Sequence, residues 1–80
     1  MIFVYIIQSL VDRGYYIGIT KDISKRLKKH NLGQVDSTRN RKPFTLIVTE
    51  EFSSYSLARL REKEIKSYKG GVMFKKLIRV

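Results

Sequence analysis

The sequence predicts an α+β domain: a three-stranded antiparallel sheet with helices packed against it, in the order β-β-α-β-α-α. Three observations carry this. Residues 2–7 form an unbroken apolar run; a second run, Tyr15 to Ile19, mixes aromatic and β-branched residues; and two segments with helical spacing of apolar residues flank a third strand-like stretch. Eighty residues leave room for one small core and no second domain, so residues 1–80 are read as one unit.

Taken in order, Ile2 to Ile7 suits a strand covered on both faces, which places it between the other two. Ser9 to Gly14 makes the hairpin loop, with Asp12 and Gly14 as turn residues. Tyr15 to Ile19 returns antiparallel, and Gly18 inside it marks a close approach of backbone or ligand. Asp22 is suited to cap a helix reaching about Asn31, its carboxylate accepting a first-turn amide. Ile23 and Leu27 give that helix its buried stripe, while Asp22, Arg26 and His30, four apart, line another. Residues 32–43 lack apolar periodicity and read as a long exposed loop, a kind often used for function. Phe44 to Phe52 is the third strand. Ser53 or Ser54 caps a second helix that reaches about Lys69 and ends at Gly70-Gly71. A helical wheel puts Leu57, Ala58, Leu60, Ile65 and Tyr68 on its buried side, with Arg61 and Glu64 inside that arc and Glu62 at its rim. A short terminal helix over residues 72–80 returns Met73, Leu77 and, as a further candidate, Phe74 to the core.

Charge narrows the partner. Seventeen Lys and Arg stand against seven Asp and Glu, for a net +10. Residues 25–43 hold Lys25, Arg26, Lys28, Lys29, Arg39, Arg41 and Lys42 against Asp36 alone, and residues 59–79 hold eight bases, Lys66 among them, against Glu62 and Glu64. Two basic segments in so short a chain point to a polyanion, nucleic acid above all, with Thr38 and its neighbouring bases as candidate phosphate contacts. Isolated lysines are otherwise a solvated surface. No long basic helix carries a wide apolar face, and the N-terminal apolar run is too short to span a bilayer and lacks a basic leader, so no membrane partner is expected. The lack of cysteine removes disulfides and thiolate metal sites and agrees with a reducing cytoplasm.

Several residues suit phosphate chemistry. Tyr5 and Tyr16 fall on adjacent strands, where same-face side chains act together. Their phenols can position a water, although an ordinary pKa near 10 makes a poor base. Arg26 offers paired donors to phosphate oxygens at any working pH. His30, the one histidine, shares the Arg26 stripe and is either a catalytic or a capping residue.

Phe3-Val4-Tyr5, then Tyr16-Ile17-Gly18, then Arg26 ten and His30 fourteen residues after Tyr16, resemble the GIY-YIG nuclease domain. The likeness is to its short branch, that of the UvrC N-terminal and UPF0213 proteins. The run Leu60 to Lys66 is similar to that family's metal-binding helix, with Glu62 as the acidic ligand. The resemblance implies a DNA endonuclease that hydrolyses phosphodiester bonds. One Mg2+ or Mn2+ would be held by Glu62. Tyr5, Tyr16 and His30 would orient or deprotonate the water, and Arg26 would offset charge in the transition state. The first half-motif lacks the family's glycine, and the late asparagine of some branches has no counterpart. The alternative is a non-catalytic module that binds structured or single-stranded DNA or RNA. The same charge serves both, and only the Tyr–Arg–Glu set separates them.

Overall fold

Strand β1 (Ile2–Ser9) lies in the middle of the sheet, between β2 (Tyr15–Thr20) and β3 (Phe44–Phe52), with both pairings antiparallel. The computed structural model describes residues 1–79, and the final residue of the expected terminal helix falls outside it. Helix α1 (Ile23–Asn31) follows β2; α2 (Tyr55–Ser67) and α3 (Val72–Ile78) follow β3. The α+β architecture and its element order are those expected.

The alternation of side chains along β1 sends its residues to two different layers. Ile2, Val4 and Ile6 face α2 and α3 and pack with Ala58, Ile65 and Phe74. Tyr5 and Ile7 face the other way, against Phe44, Tyr16, Ile23 and Leu27. Coverage on both sides is why this strand is apolar without a break. A bulge between Ile6 and Ile7 shifts the pairing with β3, so that Ile6 meets Val48 but Ile7 meets Leu46 and Ser9 meets Phe44. One extra residue reverses which side chains of a strand point to a given face. Here it turns Phe44, rather than Thr45, toward α1.

Helix α1 starts where Asp22 accepts a bond from the Lys25 amide at 3.0 Å. Asn31, expected as a stop signal, is the last helical residue and does more: its side chain accepts from the Phe44 amide at 2.7 Å and donates to the Phe44 carbonyl at 3.3 Å. The end of α1 is thereby tied to the start of β3.

Three expectations need correction. Residues 32–43 are not an extended exposed loop: Asp36–Arg41 forms a 3-10 helix that folds back on α1 and buries Thr38 completely. Helix α2 is rotated from the orientation the wheel suggested. Leu57 and Leu60 are 48% and 67% exposed, and Ala58, Ile65 and half-buried Tyr68 face the sheet. This rotation brings Arg61 to Glu50, which β3 points at α2 and which takes a two-point bond from it: Nε to Oε1 at 2.7 Å and Nη2 to Oε2 at 3.0 Å. In α3, Phe74 is the buried residue while Met73 stays 55% exposed.

The Arg61–Glu50 pair is about a quarter exposed on each side, so its removal falls between the small cost of surface pairs and the large cost of buried ones. Glu50→Ala is expected to cost about 1–2 kcal/mol, the loss softened because Glu64 also approaches Arg61, at 3.1 Å. Thermal melting should show a fall of about 5–15 °C; an unchanged Tm would mean that the pair adds nothing to stability.

Candidate active site

The site is built on the cross-strand pair Tyr5 and Gly18. A Cβ at position 18 would lie 2.5 Å from the Tyr5 hydroxyl and 2.6 Å from the ring carbon that bears it. No other residue leaves room for the ring to cross β2: the glycine does mark a close approach, but of a side chain rather than of the backbone or ligand expected. Tyr16 sits one step along the same face, opposite Ile7, with its ring centre 6.3 Å from that of Tyr5.

Helix α1 supplies two partners one turn apart. Arg26 donates from Nε to the Tyr5 oxygen at 3.3 Å, and the Tyr5 hydroxyl lies 2.9 Å from Nε2 of His30. His30 is fully buried and its Nδ1 lies 2.7 Å from the hydroxyl of Thr38, which also contacts the Val35 carbonyl at 3.4 Å. One direction of donation satisfies every group. Arg26 donates to Tyr5, Tyr5 to Nε2, the Nδ1 proton goes to Thr38, and Thr38 donates to Val35. That assignment requires a neutral imidazole.

The surroundings keep it neutral. Burial, then the nearby Arg26 cation, push the His30 pKa down from 6.5 to about 4. Burial also raises the Tyr5 phenol above its ordinary value, more than the bond to Arg26 lowers it. Tyr5 is therefore a poor base that holds its proton and spends it on His30. Arg26 is half-buried, its charge held more firmly chiefly by the bond to Tyr5, with the Tyr16 phenol also beside it. Packing closes the rest: the His30 ring meets Tyr16 edge-on at 5.0 Å and lies 5.7 Å from Phe44.

The expected water-handling trio therefore divides. His30 is 0% and Tyr5 2% exposed, so His30 reaches the site only through the Tyr5 hydroxyl; Tyr16 is half-buried and open to solvent. Thr38, expected at a phosphate, is covered and spent on His30.

Glu62 lies on α2 between Ala58 and Ile65 in sequence, its side chain 23% exposed and 3.2 Å from Lys66. It is close enough to Tyr5 for its charge to be felt there. Glu64, which the wheel placed further in, is the more exposed of the two and bonds Tyr68 at 2.8 Å as well as Arg61. Among the described residues no three His, Cys, Asp or Glu lie together as a metal cage. A lone carboxylate does fit a hard cation of the Mg2+ or Mn2+ kind, which keeps waters and takes the rest of its oxygens from a substrate phosphate.

The basic candidates divide in the same way. Arg39 pairs with Asp36 and donates to the Gly33 carbonyl, Arg41 is held by Asp12 at 2.8 Å, and Lys66 by Glu62. Lys25, Lys28, Lys29 and Lys42 are exposed and make no ion pair among the described residues. Three of these four lie on α1, where Lys25 and Lys29 flank Arg26.

Residues 1–74 match the GIY-YIG catalytic domain, and the chain belongs to that family. Within it the chain is similar to UPF0213 proteins. It is 42% identical over 67 residues to one from Haloquadratum walsbyi, covering 82% of this chain and 74% of the relative. It is equally identical, over the same length, to one from Staphylococcus aureus, covering 80% of that protein. The solution NMR structure of a UPF0213 protein from Bacillus halodurans is 36% identical and covers 91% of this chain and 90% of its own, with a TM-score of 0.50. The family implies interaction with nucleic acid in general, and no helix among the described residues is long and apolar enough to cross a membrane.

The His30 environment sets a pH dependence. Because the folded pKa lies below the unfolded one, the unfolded chain takes up the proton first. Stability is full above about pH 6.5 and falls as pH drops toward 4, by up to about 3 kcal/mol. Denaturant titrations of the parent and His30→Gln should diverge in slope across that window. The carboxyls held down by their partners, Asp12 and Glu64, lose their effect at lower pH and cancel in the comparison. Parallel curves from pH 7 to 4 would contradict a buried neutral imidazole.

Proposed function

We propose that this protein is a divalent-metal-dependent endonuclease that hydrolyses phosphodiester bonds in DNA. The observation that carries the reading is the fixing of Arg26, an always-charged and half-exposed donor, by the buried Tyr5 hydroxyl, on a helix face that also presents unpaired Lys25 and Lys29. A cation held in place before the reaction stabilises charge that develops on a transferring phosphoryl group and loses no reorganisation energy as it forms.

In this reading Arg26 binds the non-bridging oxygens of the scissile phosphate, and the lysines of α1 hold the neighbouring ones. Tyr16 orients the attacking water, supported by its solvent exposure beside Arg26. Tyr5 and His30 are positioning residues: Tyr5 aims the guanidinium, and His30, locked by Thr38, aims the Tyr5 hydroxyl. Glu62 would hold the metal, exchanging its contact with Lys66 for the ion and freeing that lysine for phosphate. When bound, a divalent cation polarises a phosphoryl oxygen and neutralises charge on the leaving oxygen. A cytoplasmic location fits a chain without cysteine.

The two carboxylates of α2 give the test. Glu62→Gln removes the anionic ligand at little steric cost. Metal-dependent nicking of plasmid DNA should fall by at least about 100-fold, while DNA binding holds or tightens as a negative charge is lost. Glu64→Gln should cut normally and melt slightly lower. Normal cutting by Glu62→Gln, or silence from Glu64→Gln, would overturn the assignment. A parent that binds DNA but cuts no form of it with Mg2+ or Mn2+ would leave the binding-module reading.

A further inference from the structure

Beside Arg26 the surface opens into a cavity of about 390 Å3. Its walls come from three elements. Ile19 and Thr20 end β2; Lys25, Arg26 and Lys29 run down one side of α1; and Tyr55 opens α2. Lys25 and Lys29 are one turn apart, so their ammonium groups reach the same side of the mouth. The acid at the rim, Asp22, is already spent in capping α1.

Tyr55 is the unexplained member. It is 45% exposed, and among the described residues its hydroxyl has no hydrogen-bond partner and its ring no aromatic neighbour. The core does not need it. Two independent features thus converge on one hollow: an unpartnered aromatic ring and three unpaired cations, Lys25 and Lys29 of α1 with Lys21 of the turn before it, the proposed phosphate clamp forming the third side. The volume falls in the range of small-molecule sites, enough for one nucleotide.

We propose that this cavity is a subsite for the nucleotide next to the scissile phosphate, with its base stacked on Tyr55 and its phosphate held by Lys25 and Lys29. A base inside a continuous duplex has both faces covered by its neighbours, so the subsite takes a DNA nucleotide whose base is unpaired: in a single strand, a gap or a frayed end. Base–aromatic stacking tolerates any base because each has a π-face, so no sequence preference follows. The assignment rests on the proposed phosphate contact at Arg26 but not on cleavage.

Binding in EDTA separates the two. Fluorescence anisotropy with a single-stranded oligonucleotide should show about a 5- to 100-fold weaker Kd for Tyr55→Ala, the loss of one stack. Tyr55→Phe should match the parent, because the ring and not the hydroxyl carries the contact. An oligonucleotide of the same length made of abasic deoxyribose phosphates should bind the parent and Tyr55→Ala equally, and so should a blunt, fully paired duplex. Equal loss on the abasic strand or the duplex, loss in Tyr55→Phe, or no loss anywhere would overturn the subsite. Unchanged melting of Tyr55→Ala is expected for an exposed first-turn residue, and Tyr55→Trp gives a check independent of truncation. The chain has no tryptophan, so quenching of the new fluorophore by the normal but not the abasic strand reports the stack directly. If this pattern holds while no metal supports cutting, the nuclease reading fails and the subsite stands. If the parent cuts and Tyr55→Ala binds as the parent does, the reverse holds.

Discussion

The Tyr5 hydroxyl is where the sheet and helix α1 are chemically joined. It accepts from Arg26 and lies against His30, and both arrive from the same helix face one turn apart. For the ring to reach them it must cross β2 at the one residue without a side chain, Gly18. Much of this side of the molecule follows from that constraint. The bulge after Ile6 turns Phe44 under the imidazole, the 3-10 helix brings Thr38 to its second nitrogen, and Asn31 ties the helix end to the strand beneath. A buried polar chain is stable only when every member has a partner, and the described structure leaves no buried side-chain nitrogen or oxygen unmatched.

Electrostatics then separate residues that look alike in composition. A net charge of +10 would repel itself if spread evenly. Arg39, Arg41, Arg61 and Lys66 are each committed to a carboxylate, while Lys25, Lys28 and Lys29 of α1 make no ion pair among the described residues. Within the first basic segment, residues 25–43, the bases left without an ion pair lie mainly on α1, the helix that also carries the Arg26 and His30 partners of Tyr5. Helix α2 approaches from the other layer and adds Glu62 at the margin.

Much of the fold was legible because its signals are local. The unbroken apolar run of β1 and the cap at Asp22 each have a single physical reading, and the structure follows them; Gly18 marked a close approach, but not that it would be the Tyr5 ring. The motif residues Tyr5, Tyr16, Arg26 and His30 were also legible, and the structure gathers all four. Their division of labour was not, since it depends on burial, which no spacing records. His30 is covered because the segment after it folds back, and that segment carries no apolar period to announce a helix. Thr38 read as a phosphate contact for the same reason. The rotation of α2 was lost because a wheel scores Leu57 and Leu60 by their own hydrophobicity; it cannot know that Glu50 on another strand will claim Arg61. Tyr55 went unremarked in the sequence, because a single aromatic at the start of a helix has no spacing that marks a role.

In the proposed site the Tyr5 hydroxyl holds the guanidinium in place, and Tyr5→Phe removes that oxygen while keeping the ring. Single-turnover nicking of plasmid DNA with Mn2+, compared with the parent and with an EDTA control, measures the loss directly. The expected result is a folded protein whose DNA binding is within a few-fold of the parent and whose cutting is slower by about 100-fold, the scale of one misplaced transition-state donor. Cutting by Tyr5→Phe at the parent's rate would contradict it.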